Sequence, residues 1–124
     1  MIRLIGVLGA VYGGLAVAAG AFGAHALKGR LPPELLAHWA TATDYLSLHA
    51  LALVVTGILL RGSPANRPLR LAGVAYILGG CLFSGSLYVR VLLDMPSWGM
   101  VTPLGGSLLI LGWLLLALGL WRRS

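Results

Sequence analysis

Apolar residues gather into four long runs, separated by short stretches where proline, glycine and charge concentrate. The first runs from Leu4 to Leu27. The second, Tyr45–Leu60, extends back through less apolar residues to about 42–61. The third is 71–93, interrupted only by Arg90 near its end, and the fourth is 103–121. About 20 apolar residues, rising 1.5 Å each, cross a bilayer's hydrocarbon layer, so each run predicts a spanning helix. Thr102 followed by Pro103 is an N-cap and first-turn pair that predicts the start of the last helix.

Between the first two runs lies "PPELLAHWATATDYLS". Pro32 and Pro33 stop one helix and can begin another. The mixture of Leu35, Leu36 and Trp39 with His38, Thr41, Thr43 and Asp44 predicts an interfacial amphipathic helix that leads into the second span without a break. The predicted fold is therefore all-α: one transmembrane domain over 1–124, built as a four-helix bundle. Ala24-His25-Ala26 imitates a signal-peptidase site. The apolar stretch before it is too long for a signal sequence, so a retained helix is expected.

Composition strengthens this reading. Hydrophobic residues make up 59% of the chain and charged residues 10%. A soluble domain of this size could not cover that apolar surface with so few charges. The net charge of +6 does not indicate nucleic acid, because no basic cluster is interleaved with aromatics. Arg3, Arg61, Arg67, Arg70, Arg122 and Arg123 fall on one side of the predicted bundle. Lys28, Arg30 and Arg90 fall on the other. The positive-inside rule then places both termini in the cytoplasm. The bilayer is the first expected partner. Cys81 stands alone in an apolar run, so neither a disulfide framework nor a CxxC site is expected.

Glycine marks the packing faces. Gly6, Gly9, Gly13, Gly20 and Gly23, with Ala16, repeat at spacings of three and four along span one. Gly105, Gly112 and Gly119 recur every seven residues in span four. Such seams let helix backbones approach in lipid, where dispersion substitutes for hydrophobic driving force. They predict contact with another helix, in the same subunit, in a homo-oligomer or in a partner membrane protein.

Candidate chemistry is sparse. His38, Tyr45 and His49 project within about 20° of one direction on a helix, with Thr56 beside them. Polar groups in lipid face protein or water. A cluster of His25, Tyr45 and His49 near the outer leaflet is geometrically possible, with Ser84 and Tyr88 as bonding partners. It could glue helices together, ligate a haem or metal, or else bind a quinone or lipid headgroup or relay protons. His25 is expected chiefly to tie the end of span one to span two or to its own terminus. Ser84 and Ser86 in "LFSGSLY" lack the strand-turn-helix setting of a nucleophile elbow. Arg90 and Asp94, four apart, are expected to pair.

The stretches "GAFGAHAL", "YLSLHALAL", "LFSGSLY" and "TPLGGSLLILGW" occur in this order, one in each span. Together they resemble the YgdD-like family of small integral membrane proteins, domain of unknown function four-two-three. The resemblance implies four transmembrane helices in a bacterial inner membrane, and it implies no reaction or cofactor. The positions matching its motifs are Gly20, Gly23, His25, Tyr45, His49, Ser84, Gly85, Tyr88, Thr102, Pro103, Gly105, Gly106 and Trp113. The leading expectation is a non-enzymatic scaffold or accessory subunit with no catalytic or metal-ligating set. The alternatives are a small transporter or channel, and a protein binding haem, metal or quinone through the His/Tyr cluster. Small multidrug transporters share the four-helix size, but they need a membrane-embedded carboxylate and span one has none.

Overall fold

The computed structural model describes residues 2–123. Among them are four long helices and no strand. These are α1 (Ile2–Phe22), continued by a π-helical turn at Gly23–Leu27; α2 (Pro33–Gly62); α3 (Arg67–Leu93); and α4 (Thr102–Arg123), preceded by a 3₁₀ turn at Pro96–Met100. All four are long and apolar enough to cross a membrane.

The 30 residues of α2 form one unbroken helix from Pro33, whose predecessor Pro32 is extended (φ −58°, ψ 151°). At 1.5 Å per residue that is about 45 Å, half as long again as the hydrocarbon layer. The first turns of α2 carry Glu34, His38 and Trp39, the polar and aromatic residues that suit the membrane's interface. Asn66 starts α3: its side chain accepts from the Leu69 amide at 3.1 Å and donates to the Gly119 carbonyl at 2.9 Å. One residue thus caps α3 and fastens the last turns of α4. Asp94 ends α3 in the left-handed conformation (φ 49°). Thr102 does begin α4, yet its hydroxyl meets Ser86 of α3 at 2.6 Å.

Helix α1 packs along α2, α2 along α3, and α3 along α4, with a lesser contact between α1 and α3. The inner pair, α2 and α3, contributes Leu46, Leu53, Leu60, Leu69, Ala72 and Tyr76 to the core. The outer helices add Ile5, Tyr12, Leu109 and Leu116. Val17, Leu51, Ile58, Leu78 and Leu114 are exposed, as side chains meeting lipid would be.

The packing is reciprocal. On α4, Gly105 lies against the backbone of Leu82 and Phe83, Gly112 against the Tyr76 ring, and Gly119 against Leu69. In return, Leu109 of α4 enters the space beside Gly79 of α3. Gly9 of α1 faces Leu53 and Val54, and Gly6 faces Gly57, which the spacing of small residues in span one did not reveal. Ile5 reaches Gly73 and Tyr12 reaches Gly80, so α1 also meets α3. Tyr12 donates to the Ile77 carbonyl at 2.5 Å, and its hydroxyl lies 2.9 Å from Cys81 Sγ. Arg123 donates to Ser63 Oγ at 3.0 Å, which joins the last turn of α4 to the α2–α3 connection.

Candidate functional site

The polar stripe on α2 is where the bundle places most of its internal chemistry. His49 is buried at the level where α2, α3 and α4 meet. Trp113 Nε1 of α4 donates to His49 Nε2 at 2.9 Å, and His49 Nδ1 lies 2.7 Å from the Tyr45 carbonyl. An indole N–H can only donate, so Nε2 must accept. The ring proton then belongs on Nδ1, which donates to Tyr45. His49 is thus a neutral imidazole with both nitrogens engaged.

Tyr76 of α3 completes an aromatic triangle. Ring centroids are 5.6 Å apart for His49 and Tyr76, 5.8 Å for His49 and Trp113, and 5.5 Å for Tyr76 and Trp113, both Trp113 pairs edge-on. Tilted and edge-to-face pairs are attractive through the ring quadrupole. The small Gly112 lets the Tyr76 ring approach α4. The Tyr76 hydroxyl is buried and has no hydrogen-bond partner among the described residues.

A second layer lies towards the start of α2. Ser84 donates to the Ala42 carbonyl at 2.7 Å, tying α3 to α2. Tyr88 meets the Thr43 hydroxyl at 2.8 Å and packs on Trp39, centroids 4.5 Å apart. Trp39 donates to the Ala19 carbonyl of α1 at 2.8 Å and lays its ring over Gly23. Tyr45 is partly exposed and stacks on Phe83 at 4.5 Å.

The predicted site residues therefore divide. Tyr45 and His49 come together, with ring centroids 6.2 Å apart, while Ser84 and Tyr88 bond to Ala42 and Thr43 of α2, about two turns before His49. His25 sits exposed in the π-helical turn, and no hydrogen bond or ring contact joins it to Tyr45, His49 or its own helix end. The expected tie from His25 to α2 is made instead by Trp39. The expected Arg90–Asp94 pair does not form either. Asp94 takes the left-handed capping conformation, which carries it off the helical face that i,i+4 spacing assumes.

Two residues that frame the site escaped the stripe argument. Trp113 and Tyr76 lie on other helices, and only Trp113's place at the end of "TPLGGSLLILGW" hinted at it. The arrangement can orient helices and hold a neutral imidazole. Haem or metal ligation would require a free ring nitrogen, and ligating through His49 would break one of its two bonds. Among the described residues no group of three or more His, Cys, Asp or Glu side chains is placed to hold a metal.

Comparison with known proteins places these helices in context. The family described as "Protein of unknown function (DUF423)" matches residues 19–106. The chain belongs to this family. Its relatives include a UPF0382 membrane protein of Staphylococcus aureus, 38% identical over 97% of both chains. Others are a Staphylococcus epidermidis protein, 40% identical over 90% of both, and YwdK of Bacillus subtilis, 39% identical over 89% of both. These relatives are named only as membrane proteins, and neither they nor the DUF423 description carries an enzymatic name. No solved structure matches. The DUF423 match covers the α1–α2 end, the Ser84 and Tyr88 layer and Gly105, whereas Trp113 lies beyond it.

Proposed function

We propose that this DUF423 protein is a non-enzymatic scaffold or accessory subunit of the bacterial cytoplasmic membrane. It presents a rigid four-helix surface to lipid and to a partner membrane protein or further copies of itself. The supporting observation is how its internal polar groups are spent. His49, Ser84, Thr56, Ser86 and Tyr12 all bond to a neighbouring turn or helix. Thr56 bonds only within α2. The bonds of His49 to Trp113, Ser84 to Ala42, Ser86 to Thr102 and Tyr12 to Ile77 cross between helices and hold them in register, whereas a transport path needs polar groups free to exchange partners with a cargo. Both termini are read as cytoplasmic, since Arg3, Arg61, Arg67, Arg70, Arg122 and Arg123 mark that end.

Flux measurement tests this reading. Purified protein in liposomes is assayed for movement of protons, divalent metals and cationic drugs. Rates equal to those of protein-free liposomes are expected. A flux that disappears in His49→Leu would replace the scaffold reading with a transporter. A visible absorption band or stoichiometric metal in the purified protein would replace it with a cofactor protein.

A further inference from the structure

Arg90 stands in the last turn of α3, and its Nη1 is buried with no hydrogen-bond partner among the described residues. A guanidinium carries five donors and keeps its charge under all ordinary conditions, so a buried, unbonded nitrogen on it is costly. The end of a helix does favour a cation. That general attraction leaves Nη1 without an acceptor, because none of the terminal carbonyls of α3 takes its proton.

Beside Arg90 lies a partly open recess of about 490 Å³. Its walls come from three helices and a turn: His38 of α2; Phe83, Leu87 and Arg90 of α3; Pro96 and Gly99 of the 3₁₀ turn; and Thr102 and Pro103 of α4. Gly99 lies against the Arg90 side chain, where a Cβ would make ordinary contact, 3.6 Å from Arg90 Cδ and Nε. The first turn of α4 adds the positive end of a 22-residue helix dipole. Carboxylates do not neutralise the recess: Glu34, Asp44 and Asp94 are all exposed, and none pairs with Arg90.

The walls are of two kinds. Arg90 and His38 offer donors, while Phe83 and Leu87 offer an apolar wall. Nearby, exposed Trp98 and Met100 on the 3₁₀ turn have the amphipathic character of residues at headgroup depth. An anion with an attached hydrocarbon chain fits both walls at that depth.

We propose that the Arg90 recess binds a phosphate oxyanion, carried by an anionic phospholipid whose headgroup meets the guanidinium and whose acyl chain follows Phe83 and Leu87. Arg is suited to this because its planar fork can engage two phosphate oxygens at once, after a turn of the side chain brings the enclosed Nη1 to the recess. The proposal goes beyond the scaffold reading and does not depend on it. Lipid binding is read directly, whether or not the protein transports anything.

The test uses the full chain purified in detergent. Phosphatidylglycerol, phosphatidylcholine and inorganic phosphate are titrated separately. Retained lipid is counted by native mass spectrometry and protection is read from the thermal midpoint. Phosphatidylglycerol should bind more tightly than phosphatidylcholine, whose phosphate is offset by its own choline. Arg90→Gln should weaken phosphatidylglycerol by about tenfold or more, since it removes a charge-assisted, two-point contact. Arg67→Gln, at the opposite end, should leave binding unchanged. Gly99→Leu keeps the guanidinium but fills the recess and should also weaken binding, so it decides the matter if Arg90→Gln does not fold. Inorganic phosphate that protects equally and displaces the lipid would overturn the lipid source in favour of a free anion. Wild-type affinity in a folded Arg90→Gln variant, or in Gly99→Leu, would overturn the site.

Discussion

Substituting alanine for Gly105 should cost far more than substituting it for Gly14, although both are glycines inside apolar helices. A Cβ at Gly105 would lie 2.3 Å from the Phe83 amide nitrogen and 2.8 Å from the Leu82 carbonyl carbon, whereas one at Gly14 would meet nothing within 4 Å. The obstacle at Gly105 is backbone of α3, which no rotamer change can clear. Relief to ordinary contact requires α4 to retreat by roughly 1 Å, a gap at which facing atoms lose a quarter to half of their attraction. Leu109 beside Gly79 and Gly112 beside Tyr76 share that interface and would lose contact with it. Overpacking of this kind costs about 1–3 kcal/mol. Gly14→Ala should gain up to about 1 kcal/mol from helix propensity. Gly105→Ala shares that propensity gain, so the two variants should differ by the overpacking cost, about 1–3 kcal/mol. Reversible unfolding in mixed detergent micelles, followed by circular dichroism, measures both against the wild type. Equal midpoints for Gly105→Ala and Gly14→Ala would refute the claim that close backbone approach holds α3 to α4.

A double-mutant cycle with His49→Ala and Trp113→Phe should return a coupling of about 0.6–1.7 kcal/mol in the same assay, the range for interhelical hydrogen bonds in membranes. A coupling near zero would dissociate the two rings. Trp39→Phe should lose about 1 kcal/mol by stranding the Ala19 carbonyl, measured as a lower thermal midpoint. His25→Gln and His25→Leu should both stay within about 0.5 kcal/mol of wild type, as suits an exposed side chain without partners. A large loss in His25→Leu alone would restore its anchoring role. Ser124→Cys, at a position outside the described residues, should resist a membrane-impermeant thiol reagent in intact cells. Labelling there would reverse the proposed orientation.

Local chemistry made the helices readable before any contact was known. Unbroken apolar runs, the proline pair at 32–33 and Thr102-Pro103 act within a few residues of themselves. They therefore announced where α2 and α4 begin and that every long element is helical. The three-and-four spacing of Gly6, Gly9, Gly13, Gly20 and Gly23 likewise announced a face made for close approach. What met that face was a different kind of fact. The seam lies against α2 of the same chain, with Gly57 opposite Gly6, and this depends on the rotation and depth of two helices far apart in sequence. The same non-local register decided the site. Periodicity on α2 aligned His49 with Tyr45, but only the packing of α4 brought Trp113 to His49 Nε2. Only the left-handed cap at Asp94 separated Arg90 from its neighbour in sequence. Periodicity specifies which side chains share a face. The partner that face receives is set by the shape of the whole bundle, because in lipid apolar surface has no preference for one helix over another until small residues and hydrogen bonds select a fit.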